Sequence, residues 1–321
     1  MAFADILGQE PAVRTLERAL SAGRVHHAYR FEGPDGVGKE LAAFALAQSL
    51  VCERGPLACG ECKACQRAVT LAEEDPRVPK HPDVVLVQRG LYKGVVSAGE
   101  SAGISIEQIR RVVLERAGFP PHEGKNLVFI VRDAEELTPQ AANSLLKTLE
   151  EPTARTHFVL LTSRPQRLLD TIRSRTLPVR FGPLPDAVLR KILQGRGLDP
   201  NVAPLAQGSA SLALVLADPE RQKEREEFVA KALEALEAKD LVTALKFAEG
   251  NRGDRRELGE LLGYFAQELA ARAAQGVKGE PGAALGLANQ HRIVLSALGE
   301  LERNVQPSLA LEAMMVRLRG G

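Results

Sequence analysis

A chain of 321 residues exceeds one ordinary domain, so two or three domains are expected, and 45% apolar content is ample for packed cores. Lysine and arginine number 42 against 41 aspartates and glutamates, so no global charge excess marks a nucleic-acid or membrane partner; only local patches could. No apolar run reaches the length of a membrane span, and Met1–Gln9 lacks the basic-then-apolar pattern of a signal peptide, so a soluble, cytoplasmic protein without a membrane partner is expected. Tryptophan is absent and aromatics are 4%, while Ala, Leu, Glu and Arg abound, which favours helix.

In chain order, Pro11–Ala22 carries Val13, Leu16, Ala19 and Leu20 at helical spacing. His27–Phe31 is a strand candidate that runs into GPDGVGKE at Gly33–Glu40 and then a helical stretch, Glu40–Leu50. Strand, glycine loop and helix in that order are the context of a phosphate-binding loop, G-x-x-x-x-G-K followed by Ser or Thr. Gly33, Gly36, Gly38 and Lys39 fit it, but Glu40 stands where the Mg²⁺-binding hydroxyl belongs. Cys52, Cys59, Cys62 and Cys65 follow as C-x6-C-x2-C-x2-C, a spacing that suits tetrahedral zinc better than a disulfide framework; an empty site with a free cysteine is the alternative.

Asp83–Gln88 reads as a buried strand, and Ser105–Arg116 as a helix with Ser105 and Gln108 spaced as a capping box. Leu127–Val131 is a continuous apolar run, typical of a central parallel strand. An active site would end that strand in Asp-Glu, one acid for Mg²⁺ and one for water; here Arg132, Asp133, Ala134 and Glu135 follow. Either Arg132 replaces the metal ligand or Ala134 replaces the base, so the acidic pair is broken in both registers. Together with Glu40 this speaks against hydrolysis, which leans on the metal and on positioning groups.

Thr138 and Pro139 start a helix whose face is Ala142, Leu145, Leu146 and Leu149, ended by Pro152. His157–Thr162 is a strand and Leu168–Ile172 a short helix. The alternation to about residue 180 implies a right-handed, parallel α/β sheet. Helices alone follow: Asp186–Gln194 and Leu205–Leu216 as a small module, then Glu220–Ala238, Leu241–Glu249, Arg255–Ala274, Ala283–Leu301 and Pro307–Arg319 as a bundle, with a loop at Gln275–Gly282.

His27–Lys39, NSLLKTLEE at Asn143–Glu151 and LLTSRPQRLLDTIRSR at Leu160–Arg175 together resemble the clamp-loader branch of the AAA+ proteins, where a four-cysteine zinc insertion after the loop helix is also typical. The resemblance covers about residues 1–217, and the broken loop and acidic pair make the chain most similar to the delta-prime kind of subunit in the bacterial DNA polymerase III clamp loader. It implies an AAA+ α/β core at residues 1–180 with the zinc insertion at 52–65, a helical lid at 181–217 and an all-α collar at 218–321. In that family a Ser-Arg pair after the last core strand reaches ATP on the neighbouring subunit; Ser174 and Arg175 match it, and Thr176 departs from the family's usual Cys. A solvated surface arginine is the plainer alternative.

An active relative's lid also carries an arginine after Gly-Ser, whereas this chain reads Gly208, Ser209, Ala210, Ser211. The family further turns the helix beginning at Ser105, here with Arg110 and Arg111, toward DNA phosphates. The resemblance thus implies a non-hydrolysing subunit that binds ATP and Mg²⁺ weakly or not at all. Its implied partners are the delta and tau/gamma subunits and, through the complex, the sliding clamp and primed DNA. A hydrolysing subunit of the tau/gamma type and a zinc-stabilised scaffold without a role in ATP turnover are the alternatives.

Overall fold

The computed structural model describes residues 3–92, 103–123, 125–238, 241–251, 255–276, 281–303 and 305–320. The chain divides into two compact units, residues 1–216 and 217–321. Among the described residues no helix is long and apolar enough to cross a membrane.

The first unit is built on α1 (Glu10–Ser21), β1 (Ala28–Glu32), α2 (Lys39–Val51), α3 (Lys63–Val69) and β2 (Val84–Val87). Next come α4 (Ile106–Gln108), continued through a π-helical segment Ile109–Leu114 into α5 (Glu115–Ala117), then β3 (Leu127–Val131), α6 (Pro139–Glu150), β4 (Thr156–Thr162), α7 (Asp170–Arg173) and β5 (Leu177–Arg180). The strands form one sheet in the order β2-β3-β4-β1-β5, every pairing parallel. The apolar run of β3 is buried at all five positions because helices cover both faces, and Phe129 stacks on Phe158 with centroids 5.0 Å apart. α8 (Asp186–Gln194), a 3₁₀ turn Pro200–Ala206 and α9 (Ala210–Ala217) follow the sheet.

Several local expectations change. The Ser105 hydroxyl accepts from Gln108 N at 3.2 Å, but the Gln108 side chain donates to the Gln88 carbonyl at 2.8 Å, so only half of a capping box forms. The stretch 168–172 is not one helix: a 3₁₀ turn at Pro165–Arg167 precedes the short α7. The helix expected at 205–216 is split where Gln207 and Gly208 take left-handed φ values of 48° and 82°. α3 and β5 carried too little periodic signal to be named.

The second unit consists of α10 (Pro219–Glu237), α11 (Leu241–Gly250), α12 (Arg255–Gly276), α13 (Pro281–Glu302) and α14 (Pro307–Gly320). Phe228, Leu262, Phe265, Val294, Leu311, Met314 and Met315 share its core. Asp218 caps α10 by accepting from Glu220 N and Arg221 N. Residues 277–280 of the loop expected at 275–282 lie outside the described residues.

Phe129→Ala removes a ring that is wholly buried between β2 and β4, and a loss of about 3–5 kcal/mol is expected in urea denaturation followed by circular dichroism.

Candidate functional site

Because the sheet is parallel, the carboxyl ends of its strands share one edge, which brings Gly33–Lys39, Arg132–Glu135 and Ser163 together there. Gly33 leaves room for the Phe181 carbonyl; a Cβ would lie 2.1 Å from that oxygen. Gly36, at φ +75°, faces Ser209 and Ser211, whose hydroxyls would be 2.3 and 2.7 Å from an added Cβ, and its carbonyl accepts from Ala210 N at 2.9 Å. The Gly208–Ser211 segment therefore sits on the loop itself. Lys39 is nearly buried, and its ammonium donates to the carbonyls of Gly33 at 2.6 Å and Pro34 at 2.7 Å, with Asp35 at 3.5 Å. Burial lowers its pKa, against the pull of Asp35, Glu135 and Asp133. Gln9 adds a tie that its sequence context did not announce, donating to the carbonyls of Val37 at 3.1 Å and Gly182 at 2.7 Å.

Glu40, on the first turn of α2, forms an ion pair with the Arg132 guanidinium, whose other terminal nitrogen donates to Gln88 Oε1 at 2.8 Å. Arg132 thus brings a permanent cation to the carboxylate that stands in the hydroxyl position. Asp133 takes a left-handed conformation, φ 47°, and desolvation, followed by the Glu135 and Asp35 carboxylates, pushes its pKa up. Glu135 accepts from Ser163 N at 3.2 Å and Ser163 Oγ at 3.0 Å. Burial works against its charged form, but hydrogen bonds including those from Thr162 and Ser163 prevail and lower its pKa. The sequence pattern alone did not connect Glu135 to Ser163, because the two lie on different strand ends.

Arg175 lies at the other edge. His26 and His27 precede β1, Leu149 and Glu150 end the helix before β4, and Leu177 begins β5; with Ser174, Arg175 and Thr176 they line an open pocket of about 610 Å³. Arg175 Nε donates to Glu150 Oε1 at 2.6 Å, and Nη1 donates to the Thr171 carbonyl at 3.0 Å and Ser174 Oγ at 3.2 Å. Its guanidinium is about one-third exposed and anchored to the end of the NSLLKTLEE helix. His27 Nε2 donates to the Leu149 carbonyl at 3.0 Å, and burial, then His26, holds its pKa below the ordinary value.

The four cysteine sulfurs lie within 4.8 Å of one another and no disulfide joins them. Cys59 Sγ and Cys65 Sγ are 3.8 Å apart, the edge of a tetrahedron whose centre is about 2.3 Å from each corner. Cys62 N and Cys65 N donate to the sulfurs of Cys59 and Cys62, each at 3.4 Å. Burial opposes the Cys52 thiolate, yet the N–H groups of Arg54, Cys59 and Gly55 outweigh it and bring the thiol down to about 6; burial pushes Cys65 up to about 12. This donor set fits a metal ion. Gln48 Nε2 to the Cys65 carbonyl, 2.9 Å, and Lys125 to the Cys52 carbonyl tie the cluster to α2 and to the approach of β3.

Arg110 and Arg111 occupy the π-helical segment, both exposed, and Arg111 pairs with Glu107 at 2.9 Å.

Residues 8–185 match the family described as DNA polymerase III, delta subunit. The DNA polymerase III subunit gamma/tau of Mycobacterium tuberculosis is 39% identical over 193 residues, covering 60% of this chain and 30% of the relative. The chain therefore spans about a third of the length of the gamma/tau relatives it matches. The DNA polymerase III subunit delta' of Bacillus subtilis is 33% identical over 234 residues, 71% of this chain and 64% of the relative. A DNA polymerase III, gamma subunit-related protein of Thermotoga maritima superposes over 95% of this chain and 98% of that one with a TM-score of 0.51 at 18% identity, a likeness of fold.

Arg132→Ala, Glu40→Ala and the double variant form a cycle for the ion pair. With Glu40 about half exposed, a coupling of about 0.5–1 kcal/mol is expected from urea denaturation, and additive losses would show that the two charges do not meet in solution.

Proposed function

The chain belongs to the delta-prime family of DNA polymerase III clamp-loader subunits, and from that premise we propose that it is a non-hydrolysing subunit that acts on nucleotide held by a neighbour. Residues 1–180 serve as the AAA+ core, 181–217 as the lid and 218–321 as the collar through which it assembles with delta and tau/gamma subunits. Through that complex it contributes to placing the sliding clamp on primed DNA.

The observation that carries this reading is the Glu40–Arg132 ion pair, which fills with protein charge the corner where a hydroxyl and a carboxylate would hold Mg²⁺. Lys39 is bound to its own loop, and Ser209 and Ser211 crowd Gly36 where a phosphate would approach. Arg175 lies one strand length away; five residues at about 3.3 Å each put some 16 Å between the two edges, too far for it to serve its own loop. A phosphate that it stabilises belongs to another subunit. The Cys52, Cys59, Cys62 and Cys65 cluster holds zinc in a structural role, since four thiolates leave no coordination position for water.

The hydrolysing reading draws support from the gamma/tau relative, whose identity of 39% exceeds the 33% of the delta' relative. Calorimetry separates the two. Weak ATP binding that changes by less than about twofold between Mg²⁺ and EDTA is expected; binding strengthened about tenfold or more by Mg²⁺ would make the chain a motor subunit.

Arg175→Ala in the assembled complex is expected to slow ATP turnover at the site it completes by about tenfold or more, read in a steady-state assay; an unchanged rate would reduce the chain to a scaffold. Elemental analysis is expected to find one zinc ion per chain, lost together with thermal stability in Cys62→Ser.

A further inference from the structure

Arg30 lies in the middle of β1 with only 7% of its surface exposed, a rare place for a guanidinium. Its Nε donates to Glu32 Oε1 at 2.5 Å, the carboxylate two residues on and hence on the same face of the strand. Its Nη1 leaves the strand and donates twice: to the Arg173 carbonyl at 2.8 Å and to Thr176 Oγ1 at 2.7 Å. The Thr176 hydroxyl in turn donates to the Ile172 carbonyl at 2.8 Å, so its one proton and one of its two lone pairs are engaged.

Residues 173 and 176 bracket Ser174 and Arg175. The guanidinium of Arg175 is tied separately, by Glu150 and the Thr171 carbonyl. A buried charge pair is weak grounds for stability, because apolar packing does as well. Fixing a short segment at two points is something apolar packing does poorly, since it has no direction. The segment needs it: α7 is four residues long and Arg175 follows its end, where helices fray.

We propose that Arg30 is a positioning residue for Arg175: by holding the Arg173 carbonyl and the Thr176 hydroxyl from inside the sheet, it sets where the Ser174–Arg175 segment stands toward a neighbour's phosphate. This rests on the trans role of Arg175 argued above. A guanidinium that acts on charge developing in the transition state must be held in place, so its displacement lowers kcat and leaves KM nearly unchanged.

The test uses full-length chain assembled with its partner subunits. Thr176→Val removes the acceptor for Arg30 at nearly constant volume; kcat for ATP is expected to fall about fivefold or more with KM within about twofold, and Thr176→Ser is expected to restore it. On an Arg175→Ala background Thr176→Val is expected to add nothing, because both changes act through one group. Should Thr176→Val fail to enter the complex, Arg30→Lys carries the same expectation, as the lysine chain is one bond shorter and its single nitrogen cannot serve Glu32 and the two acceptors of Nη1 at once. A full kcat in Thr176→Val with a low one in Arg175→Ala overturns the role of Arg30 and leaves the trans role standing. An equal loss on both backgrounds, or no rescue by serine, also overturns it in favour of a packing role. No effect of Arg175→Ala by itself removes the trans role first.

Discussion

The parallel direction of all five strands is the constraint from which the rest of the first unit follows. Parallel strands require crossovers through helices, so every strand begins at one edge and ends at the other. The glycine loop must then lie at the carboxyl edge, beside Arg132–Glu135 and Ser163, while the segments that lead into strands gather at the amino edge. Arg175 precedes β5 and so belongs to the amino edge by topology alone. The two sets of polar groups therefore stand about one strand length apart, some 16 Å.

At the carboxyl edge the groups have become partners of one another. A working phosphate loop keeps its donors free and lets the ligand bring the negative charge. Here Lys39 bonds loop carbonyls, Arg132 neutralises Glu40, and Ala210 N reaches the Gly36 carbonyl. The Lys39 bonds satisfy an ammonium that would otherwise be buried unpaired, which is costly in a low-dielectric pocket, whereas Arg132 pairs with a carboxylate that stays about half exposed. At Gly33 and Gly36 neighbouring protein atoms occupy the space that side chains would need.

Much of this was legible beforehand. The strand–loop–helix order, the apolar run of β3, Thr138 with Pro139, and the clustered cysteines each carry a local pattern with a physical cause, and each sits where its pattern implies. The sequence also left the register of Arg132 and Asp133 open, since a one-residue choice of partner depends on which side chain the end of β3 turns toward Glu40. The Glu135–Ser163, Arg175–Glu150 and Gln9–Gly182 contacts were not legible, because each joins residues far apart in sequence and carries no periodicity. The π-helical turn around Arg110 likewise has no residue pattern that distinguishes it from an ordinary helix.

α2 connects the two edges. Thirteen residues at about 1.5 Å each make a rod of roughly 20 Å, with Lys39 at its start and Cys52 capping its end. In a nucleotide-dependent subunit the ligand would organise the start of that helix. Here the start is held by internal ion pairing and by the Gly208–Ser211 segment, and the end by Cys52, the Lys125 contact and the Gln48–Cys65 bond. β1, which feeds the loop before α2, also carries Arg30, whose bonds reach the residues on either side of Ser174 and Arg175 at the amino edge. The bonds at the start of α2 and those around Ser174 and Arg175 thus meet on one strand, β1, which joins the two edges of the sheet.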